Sequence, residues 1–242
     1  MTTGLTYAQY KTQIATLAVV EENNPAFVEI LPQMITYAEN RIYRDLDLLQ
    51  TSTSITGYAL TAGTRSLSIP EGTIVVSEQI NIITPAGQTD PDAPTATRNS
   101  CLPTTKEYLD IVYGNNSSAN RAMPTYFVPF NDNLFYFGPV PDANYYVEIV
   151  GTVRPDSLSA SNTTTYLSLY FPDVLIMASM IYVSGYQRNF GRLNDDPQMA
   201  VTYESQYKAL LQGATIEEAR KKFEAAAWSS QSPAVVASPT RG

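Results

Sequence analysis

Histidine is absent from this 242-residue chain, and cysteine occurs once. Histidine is the side chain whose ordinary pKa lies near neutrality, and it is the commonest metal ligand and general base. Its absence excludes every Ser-His and Cys-His catalytic pair and every His-metal site. A lone Cys101 excludes an intramolecular disulfide. Any catalysis would rest on Asp, Glu, Lys or Tyr.

Motifs for cofactors and metals are also missing from the sequence. It contains no GxxxxGK[ST] phosphate loop, no GxGxxG, no CxxC and no EF-hand loop. The densest acidic group, 194–196, precedes Pro197 and is typical of a helix cap. A reactive Cys101 would need a nearby base or cation, and Arg98 is the only candidate. We therefore expect no metal, no cofactor and no catalytic residue.

Charge is scarce, because Asp, Glu, Lys and Arg make up 16% of the chain against a usual quarter. A surface covered by Thr, Ser, Asn and Tyr is less protected against association, which suits a subunit of an assembly. The net charge of −8 argues against sequence-specific binding of nucleic acid. The basic cluster 220–222 lies beside Glu217, Glu218 and Glu224, which indicates a solvated helix face.

Long hydrophobic runs are missing too. The most apolar one, 174–183, is shorter than the roughly 20 residues that cross a bilayer. The N-terminus shows no secretion signal, so we predict a protein made in a cytoplasm with no membrane partner. Widely separated carboxylates of a glycosidase stay open as an alternative. Sugar clefts usually carry several tryptophans, however, and this chain has only Trp228.

The first fifty residues read as two helices. Thr6 is a cap for a helix to Val20, and Asn24 with Pro25 opens a second helix to about Leu46. Pro32 falls inside the second pattern, so the helix is either kinked or begins anew there.

The middle of the chain has the period of two that is typical of strands. The predicted strands are 51–56, 65–69, 73–83, a hairpin of 124–130 with 134–137, and 145–153. The last is apolar on both faces and is predicted to be central or covered on both sides. Residues 85–99 read as a long loop that is mobile or ordered only by a partner. A capping-box spelling at Thr104 predicts a short helix to Tyr113.

Helical spacing returns at Phe171. Residues 174–183 predict a central buried helix, which is followed by a helix capped at 194 or 195 and a last helix from Thr215 to Trp228. The fold class is therefore α+β, with a helical bundle made from the N- and C-terminal helices, an inserted antiparallel β-rich module and an extended C-terminal tail. The predicted segments are 1–50, 51–165, 166–228 and 229–242.

Four segments together resemble the head-to-tail adaptor (connector) family of short-tailed and related bacteriophages. They are Tyr37-Ala-Glu-Asn-Arg-Ile-Tyr-Arg-Asp-Leu46, Gly138-Pro-Val-Pro-Asp-Ala-Asn-Tyr-Tyr-Val147, Phe171-Pro-Asp-Val-Leu-Ile-Met-Ala178 and Tyr203-Glu-Ser-Gln-Tyr-Lys-Ala-Leu210. The resemblance covers most of residues 5–228 in order.

The resemblance implies a structural virion protein and not an enzyme. In that family the subunits form a ring, usually of twelve copies, that joins the portal to the tail or nozzle and leaves a channel for genome DNA during ejection. The 17 tyrosines agree with extensive subunit contacts. A tail-fibre or capsid-decoration protein, or a carbohydrate-active tail enzyme, are the alternatives. No repeat typical of a fibre is present.

Two sets of residues are predicted to make contacts with partners. Tyr37, Arg41 and Arg44 on the second helix are candidates for the subunit interface. The C-terminal segment is predicted to be a portal-docking arm, which would reach roughly 45 Å if fully extended. Its candidate residues are Trp228, Pro233, Val235, Val236, Pro239 and Arg241.

Overall fold

The computed structural model describes residues 4–185 and 197–225, and its helices and seven-stranded sheet confirm the α+β class. The helices are α1 Tyr7–Ala18, α2 Pro25–Asp45, α3 Lys106–Tyr113, α4 Tyr166–Tyr170, α5 Pro172–Ser184 and α6 Pro197–Ala225. The strands are β1 Ser52–Leu60, β2 Ser66–Ser68, β3 Val76–Thr84, β4 Thr97–Pro103, β5 Tyr126–Asn131, β6 Leu134–Gly138 and β7 Tyr145–Thr152.

The described residues divide into two compact units. One is Gln50–Pro155, which contains the sheet and α3. The other is formed by the described residues of 1–49 and 156–242, and it contains the other helices. Each unit has its own hydrophobic core.

Local capping chemistry fixes the first two helices as predicted. The Thr6 hydroxyl accepts a hydrogen bond from the amide of Gln9, and the Gln9 side chain accepts one from the amide of Thr6. Asn24 Oδ1 accepts from two amides of the first turn of α2, and Pro25 occupies the first helical position. α2 continues through Pro32 as one helix, so it does not begin anew there.

The core of the helical unit is centred on α2 and α5. Ile42 of α2 is fully buried, Leu46 is 3% exposed, and α2 packs against α5. Seven of the thirteen residues of α5 are buried, as its nearly uniform apolarity predicted. The same cluster includes Tyr10 and Ile14 of α1 and Tyr207 of α6.

The helices predicted after residue 194 differ from those in the structure. We predicted two helices that meet near Thr215, but α6 is a single helix of 29 residues. The Thr215 hydroxyl donates to the Leu211 carbonyl one turn earlier, which is a bond of a residue inside a helix. Val201, on the first part of α6, is 63% exposed. The predicted cap at 194 or 195 lies outside the described residues.

The sheet has the strand order β1-β7-β3-β4-β5-β6-β2. β7 lies between β1 and β3, as its two apolar faces predicted. All neighbouring strands are antiparallel except β4 and β5, which are parallel, so the expectation of a purely antiparallel module was wrong at that pair. The core of this unit includes Ile80, Phe137 and Ile149.

The predicted loop 85–99 is wrong at its C-terminal end, because Thr97–Pro103 forms β4. This strand places Cys101 opposite Ile80 of β3 and Leu102 opposite Tyr126 of β5. The short helix that follows is capped by Thr105, one residue later than predicted, whose hydroxyl accepts from the amide of Tyr108.

Candidate assembly surfaces

Cys101 is part of the core and has no reactive surroundings. Its side chain is buried, and burial raises the pKa of the thiol to about 12. Its Sγ lies 3.6 Å from the carbonyl oxygen of Pro124. Arg98, the one cation that could have activated it, instead bonds to Glu148 and Asp92. A thiol with this pKa is protonated at neutral pH and is a poor nucleophile.

Metal-binding clusters are absent from residues 4–185 and 197–225, where no group of three or more Cys, Asp or Glu side chains is arranged to hold an ion. The acidic group 194–196 lies outside this part of the chain. In the same part, no helix is long and apolar enough to cross a bilayer.

Arg98 ties the loop before β4 to the sheet. Its Nε donates to Glu148 Oε2 at 2.9 Å, and its guanidinium also donates to Asp92 Oδ1 at 2.6 Å. Glu148 is buried and accepts further hydrogen bonds from Ser54 and Asn81. These donors lower the pKa of Glu148 against the opposing effect of its burial. The loop is therefore held by its own subunit through Asp92, so the expectation that only a partner would order it was wrong.

Glu39 is a buried carboxylate in the helical unit, and its role is structural. Both carboxylate oxygens accept from the amide of Leu158 at 3.2 Å, and Thr165 Oγ1 donates at 3.4 Å. Burial raises its pKa, while these hydrogen bonds act in the opposite direction. Glu39 thus fastens the segment that precedes α4 to α2.

Arg41 is occupied within its own subunit. Its guanidinium donates to Glu204 Oε1 at 2.7 Å and lies 4.6 Å from the ring centroid of Tyr207. The Tyr207 hydroxyl in turn donates to Asp45 at 2.8 Å. The side chain of Arg41 is 21% exposed. Arg41, a predicted interface residue, therefore connects α2 to α6, and little of its side chain is accessible to a partner.

The other two candidates on α2 face outward. Arg44 is exposed, and its Nε donates to the carbonyl of Asn40 in the preceding turn. Tyr37 is 49% exposed, with its ring 5.7 Å from that of Tyr182. Tyr37, Arg41 and Arg44 lie on one helix, and Tyr37 and Arg44 are exposed, whereas the Arg41 side chain is only 21% exposed.

Two members of the basic cluster 220–222 on α6 are paired with acids. Lys221 contacts Glu217 at 2.6 Å and the buried Glu218 at 2.8 Å, and Lys222 pairs with Asp47. Glu218 also accepts from the amide of Leu49. This agrees with the solvated helix face expected from the sequence, with the difference that Glu218 itself is buried.

An apolar face on α3 is the clearest exposed patch in the sheet unit. Ile111 is 83% exposed, and Val112 and Tyr108 are about half exposed. Leu109 alone of the helix is buried. The ring of Tyr108 packs 5.6 Å from that of Tyr126, which fixes the aromatic part of the patch against β5. We call the exposed side chains of Tyr108, Ile111 and Val112 the α3 face.

Sequence reasoning missed the α3 face as a candidate. The capping-box spelling at Thr104 predicted the helix but not which of its sides would be covered. Solvated apolar surface of this kind is typical of protein contacts when its members are contiguous. Ile216 and Phe223 on α6 are also more than half exposed.

The predicted portal-docking arm lies outside the described residues. This applies to all of its named members: Trp228, Pro233, Val235, Val236, Pro239 and Arg241.

Comparison with known families identifies the class of protein. Residues 5–236 match the family described as SU10 adaptor protein. The chain belongs to this family. It is therefore a phage adaptor, a structural component of the virion, and the predicted resemblance to phage adaptors is confirmed. No curated protein matches the chain.

Proposed function

We propose that the chain is the subunit of a ring, dodecameric by its resemblance to connectors, that joins the phage portal to the tail or nozzle. The match to the SU10 adaptor family over residues 5–236 carries this proposal. The ring surrounds a channel through which genome DNA passes, and it is completed in the host cytoplasm on filled heads.

The net charge of the chain supports a channel that does not bind DNA tightly. Each subunit contributes a net charge of −8, and negative surface repels phosphate at short range. Most Lys and Arg side chains in the described part of the chain form ion pairs with Asp or Glu, as Arg41 does with Glu204 and Lys221 with Glu218. Binding of DNA without sequence preference needs free Lys and Arg, so weak contact with the genome follows.

The exposed apolar groups support extensive contacts with other proteins. The α3 face presents Tyr108, Ile111 and Val112, and aromatic and aliphatic side chains of this type dominate the cores of protein interfaces. We propose that the α3 face contacts a neighbouring virion protein. We further propose that Tyr37 and Arg44 contact a neighbouring subunit, and that the C-terminal arm reaches beyond its own subunit, with the portal as the receptor predicted from the sequence.

Electron microscopy tests the assignment. Purified protein is mixed with portal-bearing heads, and particles are classified for an added ring below the portal. A closed ring that appears with portal, while the isolated chain sediments as small species, is the expected result. Heads that never acquire density below the portal would contradict the adaptor role.

A further inference from the structure

The sheet of the 50–155 unit contains a gap where one strand is missing between two others. β4 pairs with β3 only from Thr97 to Cys101, and with β5 only at Leu102 and Pro103. After Thr104, whose amide donates to the Phe127 carbonyl, the chain turns away into α3. The first residues of β3 and the last residues of β5 therefore have no strand between them.

A groove of about 380 Å³ occupies this gap. Ile74, Val75 and Val76 line one side, and Pro129, Phe135 and Asp132 are among the residues of the other. Val75 and Val76 are each about half exposed, so apolar surface is open to solvent here.

Both walls of the groove present backbone that a further strand could use. β3 is paired with β7 on its far side, and β5 is paired with β6 on its far side. Because backbone directions alternate along a strand, the Pro129 carbonyl points to the same side as that of Phe127, toward the groove. An extended peptide that enters a gap of this kind is held by main-chain hydrogen bonds and by pockets for alternate side chains.

The C-terminal segment of this chain has the chemistry that the groove requires. Ala234-Val-Val-Ala-Ser238 contains no charge and is bounded by Pro233 and Pro239. Five extended residues span about 16 Å, the length of a short strand, and the paired valines favour that conformation. The only charged side chain after Trp228 is Arg241, and the groove carries Asp132 at its β5–β6 turn.

We propose that this groove takes up the 234–238 segment of a second copy of the chain as an added strand. In the proposed ring, on which the biological setting of this inference rests, each subunit would give one segment and receive one. Such a head-to-tail exchange closes a ring without leaving an empty groove or an unbound segment. The portal-docking role predicted for the same segment is then the competing outcome.

Cysteine cross-linking of full-length chains tests the proposal. Cys101 is buried, so an introduced cysteine is the accessible one. One chain carries Val76→Cys and a second, of distinguishable mass, carries Val236→Cys. They are mixed and treated with a short bis-maleimide, both as purified protein and in assembled particles. The control replaces Val76→Cys with Val201→Cys, because Val201 on α6 is 63% exposed against 56% for Val76.

The expected product is a covalent pair of unlike chains, formed at least about tenfold more with Val76→Cys than with the control, since a bound segment has a high effective concentration. Equal yields with both partners would overturn the proposal. So would a Val236→Cys segment that cross-links only to the portal. A third chain that carries both substitutions tests for insertion of the segment into its own groove, and a cross-link found only within that chain would also overturn the proposal. Electron micrographs test the ring independently. Two copies can exchange a segment without forming a closed ring, so a cross-link without a ring supports the groove proposal and contradicts the proposed ring.

Discussion

Arg41 on α2 donates a 2.7 Å hydrogen bond to Glu204 on α6, so that two segments 163 residues apart are joined by one charged pair. Arg41 also lies over the Tyr207 ring, which adds a cation–π contact. Arg41→Lys keeps the charge but loses the planar guanidinium that makes both contacts. We expect the free energy of unfolding to fall by about 1–2 kcal/mol, measured by urea denaturation.

The matched control is Arg44→Lys, one turn further along α2, whose described hydrogen bond is to a carbonyl of its own helix. Its effect should stay within about 0.5 kcal/mol, as for most surface substitutions. Equal losses for the two variants would show that the Glu204 pair does not stabilise the fold.

The same pair predicts a loss of stability in acid. The Arg41 hydrogen bond lowers the pKa of Glu204 below its ordinary 4.5. Because the folded-state pKa is depressed, the stabilisation is fully present above pH 4.5 and is lost as the pH falls through the folded pKa. The difference in stability between wild type and Glu204→Gln should therefore shrink below pH 4.5. A difference that is constant from pH 7 to pH 3 would contradict this assignment.

Glu39 has the opposite pH dependence. Burial raises its pKa above 4.5 in the folded state, so the folded protein holds a proton that the unfolded chain has released. This contribution to stability is fully present below pH 4.5 and is lost as the pH rises through the folded pKa, with a slope of at most about 1.4 kcal/mol per pH unit. Glu39→Gln should flatten the pH profile in that window. An unchanged profile would show that Glu39 titrates normally.

Ile42 tests the packing of α2 on α5. The side chain is fully buried in the helical core, so Ile42→Ala should lower the free energy of unfolding by about 2–5 kcal/mol. Val28→Ala on the same helix is the control, because Val28 is 45% exposed. If the denaturation midpoints of Ile42→Ala and wild type coincide, the packing of Ile42 contributes nothing.

Helix starts were the most predictable part of this fold. Thr6 and Asn24 cap α1 and α2 with side chains that lie within three residues of the amides they bind, so the signal is local. β4 was missed for the opposite reason. Its residues, Thr97–Pro103, have no apolar alternation, and they form a strand because β3 and β5 lie on either side.

A local signal also misled at Thr215, where a capping-box spelling lies inside α6. Ala214 and Glu218 both face the core there, and this packing continues the helix across the predicted boundary. Surfaces were harder still. Whether Ile111 is covered, or whether β4 stops short of Val76, depends on residues distant in sequence, so neither the α3 face nor the groove could be predicted.

Cys101 should resist alkylation in the folded protein. Its thiol is buried and its pKa is raised to about 12, so little thiolate exists at pH 8. Reaction with iodoacetamide, followed by mass spectrometry, should require unfolding in urea. Rapid labelling of the native protein would show that β4 opens readily. Cys101 would then also react with the bis-maleimide, and the cross-linking experiment would no longer report on the introduced cysteines alone.

The last prediction concerns the α3 face and follows from the proposed adaptor function. Ile111→Asp places a charge on a side chain that is 83% exposed, so the free energy of unfolding should change by less than about 0.5 kcal/mol. If the face is covered by a partner in the virion, the buried carboxylate would be desolvated and assembly would weaken. We expect fewer heads with an added ring in micrographs at equal protein concentration. Glu107→Asp, an exposed change on the same helix that keeps its charge, is the control. If the Ile111→Asp protein adds rings to as many heads as the wild type does, the α3 face is not a contact surface.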